Sequence, residues 1–100
     1  RSPRQADFYV FQASLQEEGG DITAAIDSLE KGVGIFPENE KIRYYLGSLY
    51  DKSGNLEKGM TQMEAILAQN PDHADALNYL GYTWTLQGVR LHDAERVLQR

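Results

Sequence analysis

Matched residue types recur along this chain at intervals of 34. Pro37 and Pro71 stand 34 apart, Ala13, Gly47 and Gly81 are separated by 34 and 34, and Gly20, Gly54 and Gly88 keep the same two intervals. Tyr50 and Trp84, Ala25 and Gly59, and Leu29 and Met63 follow the same offset. A fixed period of this length marks one supersecondary unit copied along the chain. Each copy is too small to bury its own apolar face, so copies must stack on their neighbours.

Within each copy the apolar residues repeat at three-and-four spacing, the period of a helix. Phe8, Phe11 and Leu15 form one stripe, and Ile22, Ala25, Ile26, Leu29 and Val33 form the next. The second copy has Ile42, Tyr45, Leu46, Leu49 and Tyr50, then Leu56, Met60, Met63, Ile66 and Leu67. The third has Leu77, Leu80, Gly81 and Trp84, then Leu91, Ala94, Val97 and Leu98. No stretch alternates as a half-buried strand does. Gly19-Gly20, Ser53-Gly54-Asn55 and Gly88 are the expected stops of the first helices. Asp21 and Asn55 are suited to N-cap the second helices. Pro37 and Pro71 disfavour helix at the residue before them, and Asp72 is the expected cap of the fifth helix. The spacing predicts six helices at about 5–18, 21–35, 39–53, 56–69, 73–87 and 91–100, joined by short loops that force antiparallel neighbours.

Composition removes several classes of function. Apolar residues make up 41% and charged residues 25%, the balance of a globular chain. There is no Cys, which excludes disulfides, thiol catalysis and Cys-bound zinc. No apolar run approaches the roughly 20 residues of a membrane helix. The net charge is −5, which disfavours nucleic acid and anionic membranes as partners. The chain opens at Arg1 without Met or a signal-peptide pattern and stops inside an amphipathic stretch, so it reads as an excerpt, and its compartment stays open.

No catalytic, metal or cofactor site is expected. His73 and His92 stand near helix starts without a second ligand one turn away, and Ser14 and Ser48 have no local His. Glu17, Glu18 and Asp21 read as a solvated helix end. Gly32-Val33-Gly34 lies late in a helix, with no strand before it to make a phosphate loop.

The spacing resembles the tetratricopeptide repeat, W-x2-L-G-x2-Y, then A-x3-F, then P. The third copy carries Leu77-x2-Leu80-Gly81-x2-Trp84 and Ala94-x3-Leu98. The second carries Arg43-x2-Leu46-Gly47-x2-Tyr50, Gly59-x3-Met63 and Pro71. The first is degenerate, with Tyr9-x2-Gln12-Ala13-x2-Gln16, Ala25-x3-Leu29 and Pro37. The resemblance covers residues 6–100. It implies an all-α, right-handed α-solenoid of antiparallel helix pairs, one domain over residues 1–100, with repeats at about 6–39, 40–73 and a truncated 74–100. Small residues (Ala13, Gly47 and Gly81 against Ala25, Gly59 and Ala94) let backbones approach, and Tyr50, Trp84, Leu29 and Met63 fill the space beside them. Four departures stand out. Gln12 and Gln16 replace apolar residues, Arg43 should leave one corner partly solvated, and the Gly88–Ala94 segment is one residue longer than its counterpart. Ile66 stands in a place usual for Ala, which Gly59 is expected to offset in volume.

First helices of such repeats line a concave groove. Carried onto this chain, the groove residues are Lys41, Tyr44, Tyr45, Ser48, Asp51 and Lys52 of the second copy and Asp75, Asn78, Tyr79, Tyr82 and Thr85 of the third. The first copy adds Asp7, Val10, Phe11, Ser14, Glu17 and Glu18. The four Tyr make a strip of the kind enriched at interfaces, although Tyr45 and Tyr79 also suit packing between first helices. Only Asn78 and Lys41 are of the type that clamps a peptide's C-terminal carboxylate, so that mode is not expected. Residues 6–39 hold seven acids against one Lys, so a ligand there should be neutral or basic. The function implied is a protein-interaction module that holds a peptide segment of a partner in the groove. The alternative is self-assembly into a homo-oligomer through the solenoid ends, using Leu91, Val97 and Leu98.

Overall fold

The computed structural model describes residues 3–90. They form α1 (Pro3–Glu18), α2 (Ile22–Ile35), α3 (Glu40–Lys52), α4 (Leu56–Gln69) and α5 (Ala74–Arg90), with no strand among the described residues. The sixth expected helix, at 91–100, lies outside the described residues, together with His92, Ala94, Val97 and Leu98.

The two kinds of turn have separate chemistry, each used twice. After α1, Gly20 adopts a positive φ of 88° and its N–H donates to Glu17 O, while Asp21 N–H donates to Gln16 O at 2.9 Å. After α3, Gly54 (φ 90°) and Asn55 repeat the pattern onto Asp51 O and Tyr50 O. This is a left-handed helix stop, open to Gly without strain. The next residue then caps the following helix: Asp21 accepts from Ala24 N–H at 3.0 Å and Asn55 from Lys58 N–H at 3.4 Å. The Pro-containing turns instead use Asn39, which accepts from Ile42 N–H, and His73, whose Nδ1 accepts from Ala76 N–H at 3.1 Å. The cap of α5 is therefore His73 and not Asp72. Asn39 and His73 hold the same place in the 34-residue register, and that register outweighs the better intrinsic capping ability of Asp. Gly88, expected to stop α5, lies within it. Unlike Gly20 and Gly54, it is followed by Val89 rather than by an Asp or Asn able to cap a new helix.

The helices stack in chain order, α1 on α2, α2 on α3, α3 on α4 and α4 on α5, with α1 also beside α3. One core cluster gathers Ala6, Ala13, Ala25, Leu29, Ile42, Leu46, Leu49 and Tyr50. A second gathers Met63, Ile66, Ala76 and Leu80. Gln16, at the position of Tyr50, accepts a hydrogen bond from the buried Ser28 hydroxyl at 2.7 Å, so a polar pair replaces an apolar one. Arg43 is half-buried. It donates to Pro37 O at 2.7 Å and to Gln62 at 2.8 Å, tying a turn to α4.

The α1 stripe departs from expectation. Phe8, Phe11 and Leu15 are exposed by 56%, 63% and 54%, and Ala6 and Ala13 are buried instead. The register explains it. Phe8 and Leu15 correspond to Ile42 and Leu49 on α3 and to Ala76 and Thr83 on α5, all buried. That face of a first helix presses on the preceding pair, and α1 has no preceding pair among the described residues. Trp84 is also exposed, whereas Tyr50, its counterpart one repeat earlier, is buried.

Helices α3 and α4 meet where neither carries a side chain. A Cβ on Gly59 would stand 2.9 Å from Gly47 O and 2.6 Å from the Tyr79 hydroxyl. Gly59 is thus required by backbone approach, and its closest neighbours do not include Ile66, so the expected volume exchange between those two does not explain it. In contrast, a Cβ on Gly34 of α2 would meet nothing within 4 Å. Ala is favoured over Gly inside a helix by up to about 1 kcal/mol, while overpacking costs about 1–3 kcal/mol. Gly34→Ala should therefore raise the thermal midpoint slightly, and Gly59→Ala should lower it by a net of about 1 kcal/mol. Equal stabilisation by both in circular-dichroism melts would refute the close-contact account.

Candidate functional site

The first helices α1, α3 and α5 lie side by side because each second helix sits behind them. Residues 34 apart therefore fall into rows across the exposed face. Asp7, Lys41 and Asp75 form one such row, and Lys41 Nζ pairs with Asp7 at 3.5 Å. Phe11, Tyr45 and Tyr79 form another. The Tyr45 hydroxyl donates to Glu17 Oε1 at 2.5 Å, and Lys52 pairs with the other oxygen, Glu17 Oε2, at 2.5 Å. Lys52 first, then Tyr45, hold the Glu17 carboxyl below its ordinary range. Burial, then the Glu17 carboxylate, push the Tyr45 phenol up to about 12. Behind the groove, the Tyr50 hydroxyl donates to Glu30 and its ring lies 5.6 Å from Lys58 Nζ. Burial and Glu30 raise its phenol as well.

Tyr79 occupies the corresponding place one repeat on, with Asp51 where Glu17 stands. Its hydroxyl reaches the helix contact at Gly59 and is buried without a hydrogen-bond partner. Burial, then the charge of Asp51, raise its phenol. Tyr45 and Tyr79 thus both pack against neighbouring helices.

A cleft of about 450 Å³ opens between the first helices. Lys41, Tyr44, Tyr45 and Ser48 line it from α3, Asp75 from α5 and Val10 from α1, with Glu40 and His73 at the helix starts. Of the expected groove residues it brings together Val10, Lys41, Tyr44, Tyr45, Ser48 and Asp75. Asn78 and Tyr82 are exposed on α5 and, like Tyr79, do not line it. The carboxylate of Glu40 accepts from Asn70 Nδ2 at 3.3 Å and faces His73 Nε2 at 3.7 Å. The imidazole lies beside the Tyr44 ring, centroids 6.2 Å apart. The sequence reading does not single out Glu40, and it takes His73 as an isolated polar residue near a helix start. The equivalence of His73 with the capping Asn39 is the signal that would have placed it at a helix start in the groove. The Ser48 hydroxyl donates back to Tyr44 O within α3 and has no His partner. No group of three metal-ligating side chains occurs among the described residues, and no described helix is long and apolar enough to cross a membrane.

The tetratricopeptide repeat profile matches residues 17–82. The BBSome complex member bbs-4 of Caenorhabditis elegans is 28% identical over 78 residues, 78% of this chain and 17% of that protein. A TPR repeat-containing protein of Pseudomonas aeruginosa is 26% identical over 90 residues, 90% of this chain and 15% of that protein. The crystal structure of MamA matches with a TM-score of 0.77 at 24% identity, covering 91% of this chain and 53% of that one. The chain thus spans under a fifth of the length of these curated relatives and about half of MamA, with which the likeness is one of fold.

The Tyr45 shift carries a sign for stability. A phenol raised by folding favours the native state fully below its unfolded value near 10, and that contribution disappears as pH rises through about 12. Tyr45→Phe should cost about 1 kcal/mol at pH 7, the net worth of a part-buried hydrogen bond to a charged group. The variant should also lose stability less steeply than wild type between pH 10 and 12 in urea titrations. Tyr79→Phe, which deletes an unpartnered hydroxyl, should be neutral or stabilising in the same assay.

Proposed function

The chain belongs to the tetratricopeptide repeat family, whose repeats serve as protein-interaction scaffolds rather than as catalysts, and we propose that it holds an extended segment of a partner protein in the groove between α1, α3 and α5. The observation that supports this reading is the cleft itself. Half-buried Tyr44, Tyr45, Val10 and Ser48 offer apolar area, and the exposed Lys41 and Asp75 beside them offer polar contacts. Tyr combines a large contact area with a polar tip and little entropy to lose, which suits recognition of a segment arriving from solution. Asn78 and Tyr82, exposed on the next helix, extend the same face for a longer ligand.

A second reading has its own observation. The uncovered Phe8 and Leu15 correspond in register to Ile42 and Leu49, which are buried on α3 where it packs on α2. A helix pair from another copy would cover them in the same way, giving end-to-end association.

Ser48→Tyr separates the two. It fills the cleft with the side chain that the third repeat carries at the equivalent position, Tyr82, so the helix should tolerate it. Peptides selected on wild type by phage display should bind this variant at least about tenfold more weakly, with an unchanged melt. Equal binding would remove the groove reading. Self-association predicts a sedimentation mass that rises with concentration in wild type and in Ser48→Tyr alike, and stays at that of one chain in a Phe8→Lys, Leu15→Lys double variant. A flat wild-type mass up to several hundred micromolar would remove the second reading.

A further inference from the structure

We infer that the cleft between α1, α3 and α5 receives a basic side chain, lysine or arginine, of the bound segment. This deepens the groove reading and rests on it. The argument is charge complementarity around an aromatic wall. The cation that lines the cleft, Lys41, is already paired with Asp7. Asp75 forms no hydrogen bond or ion pair among the described residues. Glu40 faces His73 Nε2 at 3.7 Å, and the Nδ1 of that ring accepts the Ala76 N–H. The hydrogen bond to Glu40 comes from the uncharged Asn70 amide at 3.3 Å, and no Lys or Arg pairs with it among the described residues. The cleft holds two uncompensated carboxylates beside the face of Tyr44.

A basic side chain matches each part of this. Its hydrocarbon stem is long enough to lie along Val10, Tyr44 and Tyr45, as such stems do on apolar surface. Its head reaches carboxylates that would otherwise lose water on binding without gaining a partner. Tyr44 adds attraction for a cation over its ring. An acidic side chain would meet Glu40 and Asp75 at short range with only the already paired Lys41 in its favour. A neutral apolar side chain would fill the space but strand both carboxylates. Lys52, farther along α3, is paired with Glu17 of α1 and so is no free cation for an acidic ligand either.

The test is a 15N–1H NMR titration of the 100-residue chain with three capped heptapeptides, Gly-Ser-Leu-X-Leu-Ser-Gly, in which X is arginine, citrulline or glutamate. Citrulline keeps the shape of arginine and removes its charge. The inference expects the arginine peptide to shift the amides of Tyr44, Ser48 and Asp75 and to bind at least about tenfold more tightly than the citrulline peptide, the worth of one charge-assisted hydrogen bond. Asp75 is exposed and unbonded but stands in the first turn of α5, so Asp75→Asn should change the melt little and Asp75→Lys should lower it slightly without unfolding the chain. The first should reduce the preference for arginine several-fold, and the second should transfer it to the glutamate peptide. Shifts in the cleft with equal affinity for arginine and citrulline, or with glutamate preferred by wild type, would overturn the inference and leave the groove reading standing. An arginine peptide that shifts only amides elsewhere would also overturn it. If none of the three peptides shifts the cleft amides at millimolar concentration, both the inference and the groove reading fall.

Discussion

The contact on which this architecture depends is the crossing of α3 and α4 at Gly47 and Gly59. A Cβ placed on either residue would stand about 3 Å from the other's carbonyl oxygen, so the two backbones touch with nothing between them. Ala13 and Ala25, both fully buried, make the looser version in the first pair. Close approach at one point decides how far each second helix sits behind its first. That in turn decides the spacing between successive first helices. The face they share is where Asp7 reaches Lys41 and Tyr45 reaches Glu17. The groove is thus a consequence of two missing side chains on the opposite side of α3.

The repeat made most of this legible. Once the 34-residue offset is seen, helix positions follow from apolar spacing, and the Gly-Asp and Gly-Asn turns follow from the chemistry of a left-handed stop followed by a cap. Departures arose where residues were judged singly instead of by their place in the register. Asp72 is the better capping residue in isolation, yet His73 caps because it stands where Asn39 stands. Phe8, Phe11 and Leu15 form a convincing apolar stripe, but burial depends on a neighbour, and apolar spacing along α1 carries no information about what precedes it. Gly88 has the residue type of a stop without the capping residue after it, so the helix continues.

The site was legible to a similar degree and for a similar reason. Helical geometry placed Lys41, Tyr44, Tyr45 and Ser48 on one face, and the offset brought Asp75 to the same row as Lys41. Sequence spacing marked Tyr45 and Tyr79 as the two suited to packing between helices, but not what each hydroxyl would meet. Tyr79 turns its hydroxyl toward the Gly59 contact, a space that exists because Gly59 has no side chain. Tyr45 spends its hydroxyl on Glu17. The repeat is only partial: Tyr45 is tied to α1 through Glu17, whereas Tyr79, with Asp51 at the equivalent place, keeps its hydroxyl unpartnered.

A cleft at one point of a repeating surface requires that the repeat be broken there. Ser48 aligns with Tyr82, and the smaller side chain leaves the volume. Tyr44 aligns with Asn78 and Val10, so an aromatic wall occurs once. Glu40 aligns with Ala6 and Ala74, so only the second repeat has a carboxylate at that helix start. Each exception is harmless to the fold because it stands on the exposed face, away from the crossing at Gly47 and Gly59. The same separation gives such arrays their usefulness: positions that carry the stack are read in common by every repeat, and positions that face the groove are free to differ. In this chain the differences converge on the start of α3 and the start of α5, where an aromatic ring, an uncovered carboxylate and a capping imidazole come together.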